Sequence, residues 1–320
     1  MASEGRFPLS GRRVYVAGHT GMAGSAIARH LEAAGCEVLT ASSAAVDLRR
    51  QADTEDLIAR LRPEIVVIAA ARVGGIVAND TLPADFIADN LAIQTNVIMA
   101  SHRLGVERAL FLGSTCVYPR DAAQPLREDA LLTGPLETTN EWYAVAKIAG
   151  IKLCQALRKQ YGRRYIVAMP TNLYGPNDNY HLQHSHVVAA LIRRFHEAVL
   201  AEADHVVVWG TGTPRREFLY VDDFADACGF LLERYDDASP INVGVGADVP
   251  IGELARMIAE VVGFAGRIVF DETRPDGTPR KLVDVTRLAR LGWRAGVALP
   301  EGLARAYADF LARAETLRER

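Results

Sequence analysis

Short apolar runs alternate, through the first half of this chain, with stretches whose apolar positions recur at helical spacing. Val14-Tyr15-Val16-Ala17 reads as a buried strand; Ala23, Ile27, Leu31 and Ala34 then share one helical face, and Gly35 stands just beyond as a stop. The same reading predicts strands at 37–40, 65–69, 109–112 and 165–169, and helices at 54–61, 85–104 and 141–161. Strands alternating with helices imply right-handed βαβ crossovers, hence an α/β fold with a doubly wound parallel sheet of the Rossmann type. After Pro176 the rhythm breaks. A polar stretch at 177–185 precedes a helix at 187–200, a strand at 206–209, an amphipathic helix at 251–262 stopped by Gly263, a strand at 267–270 and a helix at 301–311. The expected division is a cofactor domain over 10–176, with segments of about 206–245 returning to it, and a smaller α/β domain over most of 177–320 for the substrate.

Composition narrows the class. The 320 residues are 49% hydrophobic and 23% charged, as in a soluble globular enzyme, and the net charge of −3 gives no general attraction to nucleic acid or acidic membranes. No apolar run is long enough to span a membrane, and the first residues lack a signal-peptide core. Four cysteines, at 36, 116, 154 and 228, lie far apart without metal-ligand spacing, so a reducing, cytoplasmic setting is expected and no metal.

Gly18-His19-Thr20-Gly21-Met22-Ala23-Gly24 joins the first strand to the first helix. Glycines there permit a tight turn, close approach of backbone to a pyrophosphate and close helix–strand packing, while free N–H groups and the helix dipole favour phosphate. The pattern is GxxGxxG rather than GxGxxG, and a glycine-rich turn without a ligand is the plain alternative. At the end of the second strand, Ala41-Ser42-Ser43-Ala44 offers neither the acid that would hold a ribose hydroxyl nor an arginine for a 2′-phosphate.

Chemistry concentrates further along. Gly113-Ser114-Thr115-Cys116 follows the fourth strand, at the edge where open α/β sheets bind ligands. Tyr143 and Lys147, four apart on a helix, share one face. The ammonium should draw the phenol pKa downward, so that Tyr143 can pass a proton to a carbonyl oxygen that Ser114 also contacts. A lone Cys after a strand is otherwise a small buried residue, and His186, near His181 and His184, is otherwise surface polarity or a metal ligand.

The glycine turn, the strand ending in Ser114 and the Tyr143/Lys147 pair, in that order, resemble the extended short-chain dehydrogenase/reductase family. Longer blocks resemble the GDP-L-fucose synthases within it: Val73-Gly74-Gly75, Lys147-Ile148-Ala149-Gly150, Thr171-Asn172-Leu173-Tyr174-Gly175-Pro176, Ser185-His186-Val187, Trp209-Gly210-Thr211-Gly212 and Pro275-Asp276-Gly277-Thr278. That resemblance runs over nearly the whole chain. It implies epimerisation of GDP-4-keto-6-deoxy-D-mannose at C3 and C5 and reduction at C4 with NADPH. It implies Ser114, Cys116, Tyr143, Lys147 and His186 as the catalytic set, with Cys116 as epimerisation base and His186 as its acid partner. It further implies that NADP(H) lies on residues 18–24 (Gly18, His19, Thr20, Gly21, Met22, Ala23, Gly24), on Leu112, Gly113, Ser114 and Thr115, on Lys147, on Pro170, Thr171, Asn172 and Leu173, and on His186. Arg194, Trp209, Arg216 and Asp276 are implied as substrate contacts, and a homodimer as the assembly.

Some positions depart from that pattern. Thr20, Ser42 and Ser43 stand where the family carries basic residues, which opens use of NADH. Asn177 replaces a more usual His, and Trp142 a more usual Pro. A reductase without epimerisation remains open, as does a related GDP-keto-sugar, such as a heptose, as substrate. So does a non-catalytic nucleotide-binding sensor, although such a protein has no need of the paired Tyr143 and Lys147.

Overall fold

The computed structural model describes residues 6–181, 185–274 and 276–317. His184, and Pro275 of the Pro275-Asp276-Gly277-Thr278 block, lie outside the described residues. The chain runs β1 (Arg13–Ala17), α1 (Met22–Ala33), β2 (Glu37–Leu39), α2 (Gln51–Leu61), β3 (Ile65–Ile68), α3 (Ile76–Thr81), α4 (Pro83–Arg103), β4 (Arg108–Leu112), α5 (Glu141–Tyr161) and β5 (Arg164–Pro170). It continues as β6 (Asn172–Tyr174), α6 (Val187–Leu200), β7 (His205–Trp209), β8 (Arg215–Arg216), β9 (Phe218–Tyr220), α7 (Val221–Arg234) and β10 (Ile241–Val243). Last come β11 (Val249–Pro250), α8 (Ile251–Val262), β12 (Arg267–Asp271), β13 (Arg280–Lys281), α9 (Thr286–Leu291) and α10 (Leu299–Leu317).

Six strands form one parallel sheet in the order β10-β5-β4-β3-β1-β2. The two-residue period of a strand divides its side chains between two cores. Val14, Val16, Ile65, Val67, Leu110 and Leu112 pack with α1 and α7, whereas Tyr15, Ala17, Val66, Ile68, Ala109 and Phe111 pack with α2, α4 and α5. Burial on both faces explains why these strands read as unbroken apolar runs. Because β2 and β3 lie on opposite sides of β1, the chain reverses direction across the sheet there, and the C-terminal ends of β1 and β3 frame a crevice.

A third core gathers side chains of α6, α8 and α10 around Val206 and Val208 of β7. Of the segments at 206–245, β7 pairs in parallel with β12 and not with the large sheet, whereas β10 pairs with β5 and α7 packs on α1. The final helix is also longer than the predicted 301–311. Glu217, fully buried, ties the pieces together: its carboxylate accepts from Val245 N (2.6 Å), Gly246 N (2.7 Å) and Val283 N (2.9 Å). Those three donors offset part of the cost of burying a charge, yet burial still raises its pKa.

Candidate active site

The first turn of the large sheet is built to bring backbone close to a ligand. Gly18 has φ +87°, and a Cβ there would lie 2.6 Å from Ala70 N on the strand-β3 side of the crevice. A Cβ on Gly24 would meet Gly18 O at 2.1 Å, so α1 packs onto the turn only through glycine. Gly21 occupies the N-cap of α1 without a side-chain cap, and no acidic residue sits in the first turn. The N–H groups of that turn therefore suit a pyrophosphate. The buried Nδ1 of His19 has no hydrogen-bond partner, a further polar group that a dinucleotide can engage. These features fit a bound dinucleotide.

Beyond β2 the structure agrees with the sparse chemistry of the sequence. Thr20, Ser42 and Ser43 are exposed. Arg49, the guanidinium that follows on the chain, is held by Asp47 at 2.9 Å and by Asp89 at 3.3 Å.

At the end of β4, Gly113 N donates to Ala168 O (2.8 Å), and Ser114 turns the chain into a short 3₁₀ turn whose Cys116 N donates to Ser114 Oγ (3.3 Å). α5 brings its first turns alongside. Lys147, buried, donates from Nζ to Leu112 O at 2.8 Å and lies 4.8 Å from the Phe111 ring centroid and 5.7 Å from that of Tyr143. Loss of hydration pushes the Lys147 pKa down to about 8. The Tyr143 phenol is within hydrogen-bond reach of Ser114. Its pKa does not fall as the pairing with Lys147 suggested. Desolvation raises it well above the usual phenol range, the neighbouring Cys116 adds to the rise, and the Ser114 hydrogen bond only partly opposes them. Tyr143 is thus a neutral phenol with a proton to give.

Besides Tyr143, Cys116 has two further polar neighbours. Asn140 Nδ2 donates to Cys116 Sγ at 3.4 Å, and Arg216 lies within electrostatic reach of Cys116, Asp276 and Glu137. His186 stands at the N-cap of α6. Its residue surface is open to solvent, but protein packed around the ring lowers its pKa through desolvation. Pro170, Thr171, Asn172 and Leu173 leave the end of β5, where Thr171 N donates to Val243 O (3.0 Å) and Asn172 Nδ2 to Glu217 O (2.8 Å).

Arg194 donates to Val207 O (2.7 Å), and both Arg194 and Arg274 lie over the half-exposed Trp209 ring, their guanidinium carbons 5.8 and 5.0 Å from its centroid. Such a pairing of cations and indole suits an anionic, planar nucleotide. Arg274 was not read from the sequence, since an arginine in a polar loop carries no signal of its own. Asp276 is already engaged: its two oxygens accept from Thr211 N (2.7 Å) and Thr211 Oγ1 (2.9 Å) and so hold the 210–213 turn beneath Trp209. Among the described residues, no group of three His, Cys, Asp or Glu side chains could hold a metal ion.

Comparison with known proteins agrees with this geometry. The model of the NAD dependent epimerase/dehydratase family matches residues 14–246. GDP-L-fucose synthase of Sinorhizobium fredii is 56% identical over 95% of this chain and 96% of its own length. Among solved structures, a GDP-6-OMe-4-keto-L-xylo-heptose reductase from C. jejuni superimposes with a TM-score of 0.90 at 32% identity, covering 97% of this chain and all of that one. A GDP-L-fucose synthetase from Naegleria fowleri bound to NADP gives 0.89 at 26% identity, covering 99% of each chain.

Proposed function

This chain belongs to the NAD dependent epimerase/dehydratase family, and from that premise we propose that it makes GDP-L-fucose from GDP-4-keto-6-deoxy-D-mannose, by epimerisation at C3 and C5 and NADPH-dependent reduction at C4. One observation carries the reading: Cys116, a candidate carbon base, donates its backbone N–H to Ser114 Oγ and lies within electrostatic reach of both the proton-donating Tyr143 and Arg216. The lobe of the large sheet holds the dinucleotide, and the lobe of α6, α8 and β7 holds the sugar nucleotide.

Epimerisation starts when the Cys116 thiolate removes the proton beside the ketone, leaving an enolate whose oxygen receives hydrogen bonds from Tyr143 and Ser114. His186 returns a proton to the opposite face of that carbon. Desolvation lowers its pKa, which makes its imidazolium a stronger proton donor. In the reductive step Tyr143 protonates the C4 oxygen, and the Lys147 ammonium offsets the charge left on the phenolate. Bound NADPH supplies the hydride that C4 receives. The 18–24 turn and the N-terminus of α1 would hold its pyrophosphate, and Arg194, Arg216 and Trp209 would orient the GDP moiety.

The retained epimerisation pair Cys116 and His186 favours this two-step reaction over simple reduction, and the intact Tyr143/Lys147 pair favours it over a sensor. Cys116→Ala should abolish solvent-deuterium exchange into the keto-sugar while NADPH still binds; undiminished exchange would remove Cys116 from its role. Likeness to a heptose reductase carries a second reading, a related GDP-keto-sugar, which faster turnover of a GDP-4-keto-heptose would establish. A cytoplasmic homodimer completes the proposal. Among the described residues no helix is long and apolar enough to cross a membrane, and Leu104 after α4 and Tyr161 on α5 are exposed apolar surface for a second copy.

A further inference from the structure

Asn140 is the last residue of a 3₁₀ turn (Thr138–Asn140) and occupies the N-cap of α5, the helix that carries Tyr143 and Lys147. Asparagine is a favoured N-cap residue because its side-chain oxygen can accept from a first-turn N–H. Here it forgoes that bond: its side chain makes no capping contact with α5. Nδ2 instead donates across to Cys116 Sγ at 3.4 Å, twenty-four residues back in the chain. The other end of the amide, Oδ1, is buried and accepts no hydrogen bond. An unsatisfied buried carbonyl destabilises the fold, so this side chain has given up a cap and left an acceptor open at the same place. Both sacrifices make sense if the amide serves the chemistry at the sulfur.

We propose that Asn140 is a positioning residue for epimerisation, its amide N–H fixing the Cys116 sulfur and its open carbonyl accepting a hydroxyl of the keto-sugar. This rests on the reading of Cys116 as the base that removes protons beside the ketone. A thiol sulfur is a weak acceptor and a thiolate a much better one, so the N–H contact strengthens as Cys116 sheds its proton. It also holds the sulfur in one rotamer. A sugar hydroxyl bound to Oδ1 would place the ring next to that sulfur. The proton taken by Cys116 moves from carbon to sulfur, and Asn140 itself neither gains nor loses one. Groups facing the sulfur from the surrounding elements are Tyr143 on α5, Arg216 on β8 and Asn140 itself.

The test separates positioning from a merely structural role, because Asn140 also begins the helix that carries the reductive pair. Asn140→Ala and the isosteric Asn140→Asp are compared with the unaltered chain in D₂O, with NADPH, on GDP-4-keto-6-deoxy-D-mannose. Solvent-deuterium exchange and NADPH oxidation are followed separately. Positioning predicts exchange lowered by about 10-fold or more in both variants, with NADPH oxidation per enzyme falling far less. Equal falls in the two rates would mean that α5 has shifted, and unchanged exchange would mean that the contact is idle; either overturns the proposal. Iodoacetamide capture of Cys116, read by mass spectrometry, needs no substrate. The carboxylate of Asn140→Asp, placed beside the sulfur, should slow capture by about 5-fold or more through like-charge repulsion. If the unaltered chain exchanges nothing into the sugar, the reading of the reaction fails; an unchanged capture rate in Asn140→Asp then overturns the positioning role on its own.

Discussion

At the scale of single residues, the neutral state of Tyr143 and the low pKa of Lys147 decide the behaviour with pH. A buried lysine whose pKa falls from 10.5 to about 8 carries its charge only below that value. The ammonium that offsets the Tyr143 phenolate is thus lost as pH rises through about 8, while the phenol, raised by desolvation, keeps its proton. The rate of C4 reduction should be level near neutrality and decline through about pH 8. In Lys147→Met the decline should disappear, leaving a low, flat profile in steady-state assays. The same shift acts on stability in the opposite sense. Charging Lys147 in its buried site costs the folded state, so this penalty is complete below about pH 8 and vanishes above the ordinary pKa of 10.5. Tyr143→Phe should lower the reduction rate by about 10²–10⁴-fold without loss of fold.

Much of this pair was legible, because an i, i+4 Tyr and Lys after a strand ending in Ser114 is a geometric statement in itself. The protonation state was not, because desolvation depends on what packs over the phenol. Asn140 could not be read either: an asparagine before a helix announces a cap, and only the fold shows its side chain turned away to sulfur. Glu217 follows two arginines and looks like part of a solvated charge run, yet three backbone donors from distant segments bury it completely.

At the scale of elements, helix–sheet contact is tightest where glycine faces a neighbour. Gly150 lies within α5, and a Cβ there would come within 2.5 Å of Phe111 Cζ and 2.9 Å of Gln94 Oε1 on α4. Alanine favours a helix interior by about 1 kcal/mol over glycine, but forcing a methyl into a filled contact costs about 1–3 kcal/mol. Gly150→Ala should therefore lower the unfolding midpoint in a thermal melt, contrary to helix propensity; an unchanged or higher midpoint would show that α4 and α5 part easily. The long helices and central strands were readable from period and burial. Strands β6, β8, β9, β11 and β13 were not, being two or three residues long and too short for any period to show. α7 escaped for another reason. It begins directly after β9 with Tyr220 as an N-cap that makes no side-chain bond, so no turn residue marks the change from strand to helix.

At the scale of the whole molecule, the proposed reaction needs cofactor and sugar nucleotide to meet where two lobes join, so both lobes bear on specificity. Asn177, with φ +66°, donates to Thr20 O (2.8 Å) and accepts from Arg313 of α10 (2.8 Å), so the small lobe grips the turn proposed to hold the dinucleotide. Thr20 itself offers no positive charge to a 2′-phosphate. Thr20→Arg should raise the ratio of kcat/KM for NADPH over NADH by about 10-fold or more, the worth of one charge-assisted hydrogen bond. An unchanged ratio would place the 2′-phosphate elsewhere. The combined action of the two lobes is tested most directly by incubating the purified protein in D₂O with GDP-4-keto-6-deoxy-D-mannose and unlabelled NADPH, and weighing the sugar product. The account predicts a reduced sugar carrying two solvent deuterons on carbon, at C3 and C5. A reduced sugar with no solvent deuterium would contradict it, leaving Tyr143 and Lys147 their reductive role and taking epimerisation from Cys116 and His186.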